Sequence, residues 1–463
     1  MEDNNKMAAM PMNRLMITMG LPMVLSMMLQ AFYNIVDSAF VSNMSQNGEE
    51  ALNALTLAFP IQSLMLAIGV GAGIGAGALL SKCLGQQNRE KASRTAGNVI
   101  FIGIVAYVVF LFFGIFGTRA YIASQTSNPV IFDLAVSYLR ICCVCSVGII
   151  CFAIFEKLLQ STGRSMLSTA AQVTGAVINI VLDPILIYGL LGLPELGVRG
   201  AAWATVIGQV VSLILTMIFH FKFNKELTHG LRYLKPSSKL IREIYAIALP
   251  ATVGTALTSV MTYGLNLIFV RIDESMVTAY GLYYKIQQFL MFASFGIQNT
   301  VTPIVSFNYG MGNKARIRQG IRYGVIYDVA LMAAGLVILE IFAVPFSNVF
   351  GLSGQTQELC VSALRIVSVS FVFAGASIAL QGAFQALGGG MHTLLLCMFR
   401  YVIFVLPIAG IFSVIVGQSL DMAWLEWCAF LISEGLSLII ACVFLRNTMR
   451  QKVDTLVDHI LYS

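Results

Sequence analysis

Apolar runs of about 20 residues, each long enough to cross roughly 30 Å of hydrocarbon as a helix, recur along the whole chain. In a lipid interior every backbone N–H and C=O must be bonded within the protein, so only helices and closed barrels cross. Barrel strands alternate over about 10 residues, and the spacing of charges and turns here does not fit that pattern. The runs read as helices near 16–42, 52–80, 96–118, 131–157, 168–190, 196–221, 243–270, 275–308, 321–345, 357–384, 391–416 and 422–447. Composition agrees: 58% of the 463 residues are hydrophobic and 11% charged, against about 25% charged in soluble domains. The expected fold class is an all-α polytopic membrane protein of twelve transmembrane helices, with the lipid bilayer as its surroundings.

The net charge of +6 would suit a nucleic-acid partner if it were spread over a soluble surface, but its placement excludes one. Most of the 28 basic residues, from Lys6 and Arg14 through Arg89, Lys91, Arg94, Lys222, Lys239, Arg316 and Arg322 to Arg450 and Lys452, fall in segments on one side. Arg119, Arg199 and Arg271 fall on the other. Short basic loops stay in the cytoplasm, so both termini are expected inside a cell membrane. The first segment, Met1 to Arg14, has no apolar core and cleavage pattern of a signal peptide, so the first span is expected to be retained. The nine Cys lie mostly within spans and are expected to be reduced.

Sliding the sequence on itself by 225 positions aligns more than apolar residues. Gln62 falls on Gln287, Ser81 on Ser306, Asn88 on Asn313, Arg140 on Arg365, Gln160 on Gln385 and Gly163 on Gly388. Leu21-Pro22 repeats as Leu249-Pro250. The chain is therefore expected to hold two pseudo-symmetric six-helix bundles: an N-terminal lobe 1–221, a basic cytoplasmic linker 222–242 and a C-terminal lobe 243–463. An even number of spans gives both halves one orientation, the arrangement expected of a transporter with a cavity between its halves. We expect it to act as a monomer.

A carboxylate at membrane depth costs about 2.5–3.5 kcal/mol on insertion scales, so it marks function by default. Asp37 lies in the first span, with Tyr33 and Asn34 one turn earlier on its face. Asp183 lies in the fifth, where Asn179 shares its face and Pro184 frees a carbonyl one turn back. A broken helix beside an acid and an amide suits a small cation or a proton. The repeat carries neither acid, since Asp183 falls on Ile408. Asp328, Glu340 and Glu434 are weaker candidates, the last two expected near membrane boundaries. Glu156 and Lys157 end the fourth span as snorkelling side chains or as a gate pair.

Other chemistries are excluded. Gly69, Gly73 and Gly77 form a small-residue face for close helix packing, and no strand precedes them to make a dinucleotide loop. There is no phosphate-binding loop, no metal-ligand spacing and no nucleophile set. We expect no enzyme activity, no metal and no cofactor, so transport would draw on an ion gradient of H⁺ or Na⁺.

The ordered set of features resembles the MATE (multidrug and toxic compound extrusion) family over residues 14 to 447. It comprises the doubled six spans, the Leu-Pro pairs, Asp37, and the Asn179 to Pro184 segment. It also includes the loops Gly85 to Asn88 and Gly310 to Asn313, and the turns Gln160 to Gly163 and Gln385 to Gly388. The resemblance implies an antiporter that exports amphipathic, often cationic, compounds against H⁺ or Na⁺. An acidic site in the first half alone is similar to the DinF-like branch with its MepA-type multidrug exporters. By similarity Asn34, Asp37, Asn179 and Asp183 form the coupling cluster, with Thr205 adding an oxygen. Pro22 and Pro184 are expected as hinges. Met27, Tyr33, Phe59, Tyr138, Tyr263, Tyr284 and Lys285 are expected to line the substrate site, where adaptable and aromatic side chains suit broad specificity. The rival readings are a flippase for lipid-linked saccharides and a non-transporting membrane receptor.

Overall fold

The computed structural model describes residues 6–44, 48–349, 354–417 and 420–456. Among them every regular element is helical. The first half comprises α1 (Lys6–Ala9), α2 (Met12–Ser42), α3 (Gly48–Gly85), α4 (Arg89–Phe112), a π-helical segment Phe113–Gly117, α5 (Thr118–Ala123), α6 (Pro129–Val144), α7 (Val147–Ser161), α8 (Ser165–Tyr188) and α9 (Val198–Phe223). The second comprises α10 (Ser238–Phe269), α11 (Glu274–Gly310), α12 (Lys314–Val349), α13 (Gly354–Ser368), α14 (Phe371–Ala386) and α15 (Gly390–Met398). A π segment Phe399–Phe404, α16 (Val405–Val416) and α17 (Trp424–Thr448) complete it.

Nine helical stretches among the described residues are long and apolar enough to cross a membrane, and two bent pairs bring the number to eleven. The remaining expected span is α11, 37 residues long, whose Lys285, Gln287, Gln288, Gln298 and Asn299 lower its hydropathy. Two expected spans are not single rods. The fourth is α6 and α7, bent by 45°, and the tenth is α13 and α14, bent by 53°. Cys145–Ser146 and the turn ending in Ser370 interrupt the i→i−4 ladder there.

The internal repeat is a structural one. Asn88 caps α4 by accepting from the Lys91 N–H, and Asn313 accepts likewise from Arg316 at the head of α12. The Ser81 hydroxyl donates to the Ser161 carbonyl at 2.7 Å, and Ser306 donates to Ala386 at 2.9 Å. Gly163 and Gly388 follow α7 and α14 with φ of 83° and 69°, the left-handed position where glycine ends a helix without strain. Each pair is separated by 225 positions.

The chain forms two compact units, Leu25–Ala248 and Met1–Val24 with Leu249–Ser463. The divisions lie within α2 and α10, next to Pro22 and Pro250, and not in the 222–242 segment. In the first unit, Lys91 pairs with Glu243 at 2.7 Å and Arg164 with Glu226 at 2.9 Å. These bonds hold the 222–248 stretch to it. In the second, Arg316 donates to the Met7 and Met10 carbonyls at 2.9 Å, and Gly296 lets α11 approach the Met23–Val24 backbone. All nine Cys are free.

Candidate functional site

Close packing of α8 against α9 builds the site. A Cβ on Gly208 would stand 2.7 Å from the Gly175 carbonyl oxygen, and one on Gly175 2.5 Å from that of Gly208. Only glycines permit such an approach. It presses Asn179 onto Thr205: the Asn179 Nδ2 donates to Asp183 Oδ1 at 3.3 Å and to Thr205 Oγ1 at 3.5 Å. Asn179, Asp183 and Thr205 are all buried. The face predicted from i, i+4 spacing is thus one connected cluster.

Asp37 of α2 and Asp183 of α8 lie within electrostatic reach of each other. Tyr33, Tyr138 and Cys142 feel the Asp37 carboxylate, and Tyr188 feels that of Asp183. Tyr188 also donates to the Phe40 carbonyl at 2.7 Å, tying the ends of α8 and α2 together. Buried oxygens without a hydrogen-bond partner, among the described residues, include Asp37 Oδ1, Asp183 Oδ2 and Asn179 Oδ1. Unsatisfied acceptors in an apolar interior demand a cation, a proton or water. The side chain of Asn34 lies outside the described residues. Pro184 sits one residue after Asp183 within α8, and Pro22 lies inside α2.

The residues expected to line a substrate site divide by exposure. Phe59, Tyr263 and Lys285 are exposed, while Tyr33 and Tyr284 are half-buried. Met27 and Tyr138 are enclosed, at 9% and 2% exposure, because Tyr138 packs inward and accepts from Gln62 Nε2 at 3.2 Å. Gln288 donates to Tyr284 at 2.9 Å. Glu156 and Lys157 do not snorkel: both are buried. Gln160 bridges them, accepting from Lys157 at 3.1 Å and donating to Glu156 at 2.9 Å.

Sequence reasoning named Asp328 and Glu434 as weaker candidates but missed Arg400, which completes the polar cluster of the second unit. Arg400, in the π segment after α15, donates to Glu434 at 2.6 Å, and both side chains are buried. Glu434 is therefore not at a membrane boundary; it lies mid-way along α17. Ser433 donates to the Arg400 carbonyl at 2.8 Å, and Asp328 accepts from Ser294 at 2.8 Å. Glu340 stands 3.9 Å from Arg365. Opposite charges within two apolar runs were the available signal, but 34 residues separate them, so no local spacing announces the pair.

The MatE family model matches residues 22–185 and 250–411, one match in each half of the repeat. The chain belongs to the MatE family. It is a multi-pass membrane transporter and not an enzyme. Among curated relatives, a multidrug export protein MepA of Staphylococcus saprophyticus is 24% identical over 404 residues, 87% of each chain. A MepA of Staphylococcus aureus is 24% identical over 467 residues, 97% of each. An outward-facing multidrug resistance MATE family transporter of the MOP superfamily superposes with a TM-score of 0.90 at 22% identity, covering 98% of this chain and 99% of that one. A MOP superfamily transporter from Pyrococcus furiosus superposes at 0.88, with 22% identity and 97% and 98% coverage. The fold is that of these transporters, twelve spans included.

Proposed function

We propose that this MatE-family chain is a cation-coupled antiporter, driven by H⁺ in preference to Na⁺, that exports amphipathic and often cationic compounds. The observation that carries this reading is the pair Asp37 and Asp183, electrostatically linked within one unit, each with a buried oxygen lacking a partner among the described residues. The curated relatives are multidrug export proteins, which supports the choice of substrate class. Two carboxylates in a low-dielectric site cannot both stay charged cheaply, so they titrate as a unit. A proton fits a pair of buried carboxylates that share one site, because taking up one proton relieves their mutual repulsion.

In this reading Asp37 and Asp183 take the coupling proton, Asn179 and Thr205 hold Asp183 in place, and Pro22 and Pro184 let α2 and α8 yield when the charge changes. Protonation from outside weakens the hold on a cationic substrate, and the proton then leaves toward the cytoplasm, where both termini lie. Each proton entering with the field contributes about 2.3 kcal/mol per 100 mV. Phe59, Tyr33, Tyr263, Tyr284 and Lys285 offer surface to the substrate, with Met27 and Tyr138 enclosed in the present conformation. Ethidium export from vesicles with imposed ΔpH or ΔNa⁺ tests the assignment. Asp37→Asn and Asp183→Asn should each abolish gradient-driven export. Full export by both variants at normal expression would sink the coupling role.

A further inference from the structure

One face of α9 is an exposed apolar stripe. Trp203, Ile207, Ile214, Ile218 and Phe221 are all exposed, and their spacing of four, seven, four and three residues puts them on one side of the helix. From Trp203 to Phe221 the stripe covers about 27 Å of helix, nearly the thickness of a hydrocarbon core. The opposite face carries Thr205, Gly208, Ser212 and Thr216, all buried. There Ser212 donates to the Ala171 carbonyl of α8 at 3.1 Å. One side of α9 is thus held by protein, and the other is left to the bilayer.

The stripe is not flat. Ile214, Met217, Ile218, Phe221 and Lys222 line a groove of about 530 Å³. Four of these side chains are apolar, and Lys222 lies in the last turn of α9. Ile214 to Lys222 is about 12 Å of helix, so the groove occupies one half of a core roughly 30 Å thick. That half adjoins the basic segments. Short basic segments face the cytoplasm, and the leaflet on that side holds the anionic lipids. Lys222 is exposed, with its Nζ 5.6 Å from the Phe223 ring centroid, and Lys225 is exposed in the turn that follows. Neither has a carboxylate partner among the described residues. Glu226, beside Lys225 in the chain, is bound by Arg164 at 2.9 Å. By contrast, Lys91 and Arg94 of the same unit are held by Glu243 and Glu90.

We propose that this groove binds one acyl chain of an anionic phospholipid, with the lipid phosphate at Lys222 and Lys225. An occupant lies at hydrocarbon depth along Ile214 to Phe221, so it must be apolar there. It must turn negative where the apolar lining stops, because Lys222 and Lys225 lack a counter-charge from the protein. A phospholipid of net negative charge meets both demands in one molecule. A cationic amphipath of the kind assigned to export meets only the first, since Lys222 repels it. A zwitterionic lipid carries its own ammonium beside its phosphate and gains less. Each basic side chain beside an anionic headgroup strengthens attachment about five-fold. The lipid covers the face opposite Gly208 and Ser212, behind the contact that holds Asn179 on Thr205. A ligand that binds the folded chain alone raises its stability, so an anionic lipid in this groove steadies the Leu25–Ala248 unit.

The test titrates the purified full chain in detergent with dioleoyl phosphatidylglycerol or dioleoyl phosphatidylcholine, and native mass spectrometry counts the lipid retained. Wild type should hold phosphatidylglycerol about ten-fold more tightly, and its melting temperature should rise with that lipid alone. Lys222→Gln with Lys225→Gln should lose the preference, whereas Lys222→Arg with Lys225→Arg should keep it. Ile218→Trp fills the groove and leaves the charges in place. It should weaken retention by about four-fold for each lipid methylene it displaces. Equal retention of the two lipids by wild type, or an undiminished preference in the Gln variant, overturns the proposal. Unchanged retention by Ile218→Trp overturns the groove as the seat of the acyl chain, as does competition by glycerol phosphate, which has no such chain. Displacement of the retained lipid by ethidium would make the groove a drug site and overturn the proposal as well.

Discussion

Removing one partner of a buried charge pair strands the other in a low-dielectric medium, at a cost of about 3–5 kcal/mol. Arg400 and Glu434 meet that description. Glu434→Leu should therefore destabilise the protein by about that amount, read as a lowered melting temperature in detergent. Arg400→Met combined with Glu434→Leu should recover most of the loss; equal loss in the double variant would argue against the pairing as the cause. Asn179→Ala leaves Asp183 without its amide donor. It should lower the rate of ΔpH-driven export about ten-fold, equivalent to about 1.4 kcal/mol, with expression unchanged. The sequence revealed Asp183 and Asn179 because they are four apart beside a proline, a spacing that guarantees a shared face. It concealed Arg400 and Glu434 because tertiary packing alone unites them. Thr205 was legible only through resemblance, since its role depends on the Gly175–Gly208 contact that brings α9 to α8.

Helix contacts turn on glycines at which a side chain has no place. A Cβ on Gly75 of α3 would lie 2.3 Å from the Ile244 carbonyl oxygen of α10, and backbone cannot move aside as a side-chain tip can. Gly75→Ala should cost about 1–3 kcal/mol by overpacking. Gly281, which has open space around it, should accept Ala with no such loss; parallel detergent melts compare the two. The alternating glycines of α3 were read as a packing face, and Gly69 and Gly73 do abut Ile150, Ala153 and Lys157 of α7. Bends and π segments were not legible. The breaks at Cys145–Ser146 and before Ser370 involve no proline within them, and a π turn has no residue signature that apolar periodicity would register. Span ends moved by up to seven residues, as at Lys314, because polar first turns extend helices beyond the apolar run.

The repeat was the most legible feature of the whole molecule, because Gly, Asn and Ser recur at one offset and each has a backbone task to perform. The Ser81–Ser161 and Ser306–Ala386 hydrogen bonds do the same job in separate units. Ser81→Ala and Ser306→Ala should thus each cost about 1 kcal/mol and should add when combined, as measured by denaturant unfolding in micelles. The division between units was less legible: the charged 222–242 stretch looked like a natural boundary, whereas compactness divides the chain inside α2 and α10. The Asp37–Asp183 pair has no counterpart at the repeat positions, whereas the buried Asp328 and Glu434 of the other unit bond to Ser294 and Arg400; we propose that ion coupling belongs to the Leu25–Ala248 unit. The most direct measurement is the proton count on mixing ethidium with the purified, weakly buffered protein. Wild type should release protons as ethidium binds, and Asp37→Asn with Asp183→Asn should release none. Binding without release in the wild type, or equal release by the double variant, would contradict the account.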